Sequence, residues 1–283
     1  MHARALLISG RVENVQLKEM KEMKRSLVAS MLLMLFAVHS AFAAHPLVTD
    51  DAGTVGTGKV QIEITGEFGF DRKSVPAEFG STGEKTRSGQ AAVTTTVGLR
   101  SNIDLVLGAP YQWYSVCQDG ERIGRADGLS DISLDLKWRV FEQDGWSFAL
   151  KPGITLPTGD DDRGLGSGRA TYRMYLVGTR EVAPWAFHAN LGYVRNENPF
   201  GDRKDLWHAS AAAELEVIKN LKAVANVGIE RNPDPSSNTN PAFALAGLIW
   251  QINDTFSVDG GVKFGLNRPE TDTTYLFGVT MKF

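Results

Sequence analysis

The chain has 283 residues, 30 Lys and Arg against 33 Asp and Glu, and a mean hydropathy of −0.18. It is long enough for one large domain, too polar for a bundle of apolar membrane helices, and lacks the basic excess of a nucleic-acid-binding face. A single cysteine, Cys117, excludes an intrachain disulfide framework.

The first element is an address. Lys24 and Arg25 follow Met23, an apolar run extends from Leu27 to Val38, and Ala41-Phe42-Ala43 comes soon after. A basic region, an apolar core and an A-x-A site make a secretory signal peptide over 23–43, with Ala41 and Ala43 guiding cleavage before Ala44. The apolar run falls well short of the roughly 20 residues that a membrane-spanning helix needs. Residues 1–22 do not fit the signal and read as an over-extended N-terminus, with Met23 the expected start. Residues 44–58 are too short to fold alone. They are expected either to lie loose in the periplasm or to tuck into the lumen of the downstream domain. His45, Asp50 and Asp51 match no metal-site spacing, so no metal and no cofactor is assigned.

From Lys59 onward the hydrophobic period is two rather than 3.6. In Ile132-Ser133-Leu134-Asp135-Leu136-Lys137-Trp138-Arg139-Val140 one face is apolar and the other polar. On this basis strands are expected at 59–70, 90–99, 103–116, 130–140, 146–156, 170–181, 185–195, 205–217, 222–231, 241–252, 256–266 and 273–283. Each is long enough to cross a bilayer when tilted, for which about 9–11 residues are needed. Long connectors at 71–89, 117–129, 157–169, 196–204, 232–240 and 267–272 alternate with short ones. That asymmetry is the signature of outer-membrane barrels and places both termini in the periplasm. The expected fold is all-β: a transmembrane, antiparallel, up-and-down β-barrel of about twelve strands over 59–283.

Which face meets lipid is decided by the charges. The apolar face carries residues such as Ile64, Leu134, Leu176, Leu191, Val227 and Phe277, with Arg180 and Arg195 only at segment ends. A Lys or Arg at the midplane of a barrel costs about 2–4 kcal/mol, so a lipid face should be charge-free in its middle. Trp138, Phe141, Trp146, Trp185, Trp250, Phe256 and Phe283 fall at one set of strand ends. Phe70, Tyr111, Trp113, Tyr172, Tyr193, Trp207, Phe264 and Tyr275 fall at the other. Two aromatic girdles result. The last strand carries Tyr275, Phe277, Val279, Met281 and Phe283 on one face; it resembles the assembly signal of barrel precursors and must pair with the first strand, because no edge can face hydrocarbon.

The opposite face holds the candidate lumen-lining residues Glu63, Glu67, Asp135, Lys137, Lys151, Arg173, Tyr175, His188, His208, Glu214, Glu230, Asp259 and Lys263. Twelve strands lie between the filled barrels of about eight and the open channels of sixteen to eighteen, so the bore is expected to be narrow or plugged. His208 and Ser210 share this face, but residues two apart on a strand rarely point at each other, and no third group to orient a nucleophile–base pair is evident. His188 reads as a hydrogen-bonder of the lumen. The Asp- and Gly-rich stretch 160–168 lacks the ligand spacing of a calcium loop and reads as a solvated outer loop.

Three segments carry a family resemblance: His45-Pro46-Leu47-Val48-Thr49-Asp50-Asp51; Gly128-Leu129-Ser130-Asp131-Ile132-Ser133-Leu134-Asp135-Leu136-Lys137-Trp138; and Leu150-Lys151-Pro152-Gly153-Ile154-Thr155-Leu156-Pro157-Thr158-Gly159-Asp160. Together they resemble the outer-membrane family named for the meta-pathway of phenol degradation. The resemblance implies a transporter-like barrel and no catalytic residues. The expected function is a passive channel for small molecules, including hydrophobic or aromatic ones, since no energy-coupling box is evident near the mature start. A structural or adhesion barrel with a filled lumen is the alternative, and an outer-membrane hydrolase the least supported reading. The expected partners are outer-membrane lipid and lipopolysaccharide, the barrel-assembly machinery and a small-molecule cargo, with no nucleic acid.

Overall fold

The computed structural model describes residues 45–77 and 80–283, with only the backbone of 75–77 and 80–82. The expected signal peptide, including Ala41, Ala43 and Ala44, lies outside the described residues. Thirteen strands run in order: β1 (Val60–Ala77), β2 (Gly80–Arg100), β3 (Ile103–Gln118), β4 (Glu121–Leu129), β5 (Ile132–Gln143), β6 (Trp146–Leu156), β7 (Thr171–Val182), β8 (Trp185–Arg195), β9 (Asp205–Ile218), β10 (Leu221–Glu230), β11 (Ala242–Asn253), β12 (Phe256–Gly265) and β13 (Thr273–Lys282). Each wall strand pairs antiparallel with its neighbours, and β1 pairs with β13 from Gln61↔Lys282 to Phe70↔Thr273, which closes the barrel.

Twelve strands wall the barrel because β4 and β5 act as one. Both pair with β3: Tyr111 faces Leu129 and Gly108 faces Ser133. Three steps on β3 therefore match four on the other side, a bulge at Ser130-Asp131. Pro110 lies opposite and has no N–H for a ladder; its carbonyl accepts from Ser130 N–H at 2.9 Å instead. The extra residue shifts the inward face from even positions (Ala126, Gly128) to odd ones (Ser133, Asp135, Lys137).

Two expected loops prove to be strand. Residues 71–89 continue the β1–β2 ladder out to Ala77↔Gly80, and 117–129 form the β3–β4 hairpin. Both are hairpin arms at the long-loop end. Period two persists there, but with polar residues on both faces: Glu84, Thr86 and Ser88 are buried while Lys85 and Arg87 are exposed. Hydrophobic alternation has nothing to report in such a segment. The remaining long connectors contain no strand, with one 3-10 turn at Asp161–Arg163, and the opposite end has two-residue turns. At Asp144-Gly145 both residues have positive φ (51° and 75°), the hairpin turn that matches strand twist.

The outer surface is apolar across its middle, with Leu107, Leu176, Leu191, Val227 and Leu248 exposed, and it is banded by exposed aromatics at both ends. Trp146 and Phe148 stack at 6.0 Å, and the Arg180 guanidinium caps Trp146 at 5.0 Å, which keeps that end charge at the rim. Buried polar residues fill the inside. This inversion, apolar out and polar in, is that of a membrane barrel.

Candidate functional site: a strapped lumen

The lumen is crossed by the segment that precedes β1. Residues 45–58 leave the short-turn end of β1 and pass from the β2–β3 side to β12. Val55 N–H donates to Asp104 at 2.9 Å and Ala52 N–H to Thr179 Oγ1 at 2.9 Å. Val48 and Thr49 N–H both donate to Asn226 Oδ1, at 2.7 and 3.0 Å, and His45 pairs with Asp259. The backbone of a short irregular segment needs partners wherever it is buried. Here inward side chains of β3, β7 and β10 provide them.

Asp50 sits at the centre and is 1% exposed. Its carboxylate accepts from Lys137 at 3.0 Å and from Lys151 at 2.7 Å. The Asn190 amide faces its backbone, accepting from Asp50 N–H at 2.6 Å and donating to Asp50 C=O at 2.9 Å. Asp51 lies 3.6 Å from Lys137; burial is the largest influence and pushes its carboxyl up, but Lys137, His188, the Gly53 N–H and Lys151 together outweigh it and hold the group below the ordinary carboxylate range. These contacts, with the His45–Asp259 pair, also account for the three residues considered as metal ligands.

Apolar sockets complete the docking. Leu47 and Val48 pack with Ala212, Val224, Phe243, Leu245 and Leu276, and Ala52 packs with Ala149, Tyr175 and Val177. Glycines in the wall leave room. A Cβ on Gly98 would run into the Gly56 carbonyl, and one on Gly247 would come within 2.7 Å of Pro46.

The predicted lumen residues all occupy inward positions, and the structure groups them. Lys137 and Lys151 hold the strap. Arg173 makes a bidentate pair with Asp135, both bonds at 2.7 Å, and reaches Thr155 at 2.8 Å. Gly153 makes space for this pair, since a Cβ there would strike Asp135. Glu214 bonds Lys222 at 2.8 Å and lies 3.6 Å from His188, whose Nδ1 meets Thr179 Oγ1 at 2.9 Å. Lys263 binds Glu270 at 2.9 Å. Glu63 and Glu67 lie on β1, and Glu63 lines a cavity of about 770 Å³ between the strap and the short-turn end. Asp50, Asp51, Asp104, Lys137, Lys151 and Glu214 line it too.

Two expectations are corrected. His208 and Ser210 do meet, with His208 Nε2 3.0 Å from Ser210 Oγ, and a third group exists: Glu230 Oε2 is 3.4 Å from His208 Nδ1. Barrel curvature tilts alternate inward side chains together, and Tyr175 packs edge-on against the imidazole with ring centroids 5.9 Å apart. Ser210 faces Asn190 on one side and Gly228 on the other within the ladder. Ser210 thus sits within the paired ladder of the wall. The second correction concerns 160–168, which is solvated only in part: Asp160, Asp162 and Arg163 are exposed, whereas Gly164, Leu165 and Gly166 are buried in the barrel mouth.

A family model described as "Putative MetA-pathway of phenol degradation" matches residues 48–283. Among solved structures the chain is similar to the COG4313 outer membrane channel from Pseudomonas putida F1, at 12% identity over 82% of this chain and 98% of that one, with a TM-score of 0.61. It is also similar to the NanC porin, at 9% identity over 78% and 100% of the two chains, TM-score 0.51. A third likeness is to the transport unit of the autotransporter AIDA-I from Escherichia coli, at 12% identity over 80% and 90%, TM-score 0.51. At these identities the likeness is one of fold. No curated protein matches the sequence.

Proposed function

The chain belongs to the Phenol_MetA_deg family, and we propose that it is a passive outer-membrane channel for small molecules whose bore is closed by its own N-terminal strap. The observation that carries this reading is how the strap is held. A barrel built only as a scaffold would gain most from a dry apolar filling. This one keeps a polar cavity of about 770 Å³ beside a strap held largely by side-chain hydrogen bonds and ion pairs. Such contacts exchange readily with water, so undocking costs far less than unpacking a core. The charged lining favours solutes with polar groups; an aromatic cargo bearing a hydroxyl or carboxylate fits it, whereas a pure hydrocarbon gains nothing from it.

In this reading the short-turn end and both termini face the periplasm, and the long loops face outward. The aromatic bands and the apolar belt contact lipid and lipopolysaccharide, and the outward face of β13, with Tyr275, Phe277, Val279, Met281 and Phe283, presents the assembly signal. The test is single-channel conductance of the refolded mature protein with and without residues 44–58. Discrete steps that grow on truncation support a strapped pore. Silence in both forms supports the filled, structural barrel instead.

A further inference from the structure

Two of the three segments that carry the family resemblance meet at the long-loop end, and neither the strap nor the cavity uses that meeting. The bulge between β4 and β5 turns Asp131 inward. Its carboxylate accepts from Gly159 N–H at 2.9 Å, Ser167 N–H at 2.7 Å and Ser167 Oγ at 2.6 Å. Thr158 Oγ1 stitches the same join, donating to Ser130 C=O at 3.2 Å and accepting from Ile132 N–H at 2.9 Å. One carboxylate thus grips both ends of the 159–167 loop.

The effect of the grip is visible at Leu165, which is 1% exposed. The loop tip bends into the mouth rather than outward. Tyr114, on the inner side of β3, donates to Arg163 C=O at 3.0 Å. A Cβ on inward-facing Gly128 would lie 3.1 Å from Leu165 Cδ1. Glycines allow the tight approach: a Cβ on Gly159 would strike the Leu165 carbonyl, and one on Gly166 would lie 2.6 Å from Asp131 Oδ1. The stretch Asp160-Asp161-Asp162 is otherwise acidic, with every reason to be hydrated. The inward fold of 164–166 therefore rests on the Asp131 hydrogen bonds and Leu165, with the Tyr114 bond and an Arg163 guanidinium bond to Asp127 C=O at 3.2 Å bracing the tip.

We propose that Asp131 is the positioning residue of a constriction at the barrel mouth: by holding residues 157–170 folded inward with Leu165 against the wall, it sets the largest solute the channel admits. This inference rests on the channel reading above. The test combines amide exchange with polymer exclusion in planar bilayers on three mature proteins whose strap is freed by Asp50→Asn with Leu47→Ala: that open background alone, and the same background carrying Asp131→Ala or Leu165→Ala. Polyethylene glycols of graded size are the probe. In Asp131→Ala the Gly159 and Ser167 amides exchange faster, by about tenfold or more, and larger polymers enter. In Leu165→Ala those amides stay protected while the size limit still rises. Unchanged protection in Asp131→Ala overturns the latch. A released loop with an unchanged size limit overturns the constriction. Silence in all three proteins, with the loop released in Asp131→Ala, overturns the channel reading and the constriction with it, while the exchange data keep that failure distinct from a failed latch.

Discussion

Replacing Asp50 by Asn tests the strap at its centre. The docked state holds one carboxylate, 1% exposed, between the ammonium groups of Lys137 and Lys151. The substitution preserves shape and removes the charge, so both buried ammonium groups lose the carboxylate they share and face a neutral amide there, while Lys137 keeps Asp51 at 3.6 Å. Breaking a buried ion pair by removing one partner costs about 3–5 kcal/mol. Here the penalty falls on the docked state alone, since in the undocked state water fills the bore around both lysines. Some of it is recovered because the amide oxygen still accepts a hydrogen bond, which leaves about 3 kcal/mol, or roughly a hundredfold change in the undocked-to-docked ratio. Leu47 and Val48 remain in their socket, at about 1.5–3 kcal/mol each. The single variant is therefore expected to open intermittently, and Asp50→Asn with Leu47→Ala to stand mostly open. Open fraction in bilayer recordings reads this directly, and protease cleavage within 45–58 reads it independently. An Asp50→Asn protein whose open fraction and cleavage rate stay within a few-fold of the parent would refute the claim that this ion cluster holds the strap.

Gly98→Ala puts a methyl group into Gly56 and Val55, strap residues that supply the three nearest atoms to the added Cβ. Overpacking of this kind costs about 1–3 kcal/mol, so the variant should open like the truncated protein while its thermal stability is nearly unchanged. Arg173→Met leaves Asp135 buried without its bidentate partner and should lower barrel stability by about 3–5 kcal/mol in urea unfolding from detergent. Leu176→Arg places a charge in the middle of the lipid-facing surface, where Leu176 is 52% exposed. It should cost about 2–4 kcal/mol in bilayer folding but have little effect in a soluble denatured-state control.

Much of the architecture is written at short range. The alternation in 132–140, the Asp144-Gly145 turn, the charge-free middle of the apolar face and the aromatic ends each need only neighbours a few residues apart. The β3–β4 hairpin was within reach too. Asp119-Gly120 has positive φ at both residues (50° and 86°) and is the strongest short hairpin signal a sequence offers. The Cys117-to-Leu129 stretch nevertheless reads as loop, because its flanks lack apolar alternation. The β1–β2 arm has no comparable marker, being polar on both faces.

The site is a different matter, because its contacts join residues far apart in the chain. Asp50 meets Lys137 across 87 positions, Val48 meets Asn226 across 178, and His45 meets Asp259 across 214. A sequence shows that polar groups face inward; barrel closure decides which carboxylate meets which ammonium. The same holds for Glu230 beside His208 and for Asp131 beside Ser167. By itself the sequence determined a closed membrane barrel with a polar inside, since the penalties for charge in lipid and for unpaired strand edges act on every strand locally. Only the tertiary structure decided that residues 45–58 fill that inside and that 157–170 folds into its mouth. Both outcomes depend on a few hydrogen bonds and ion pairs that exist only once the wall has curved round to present them.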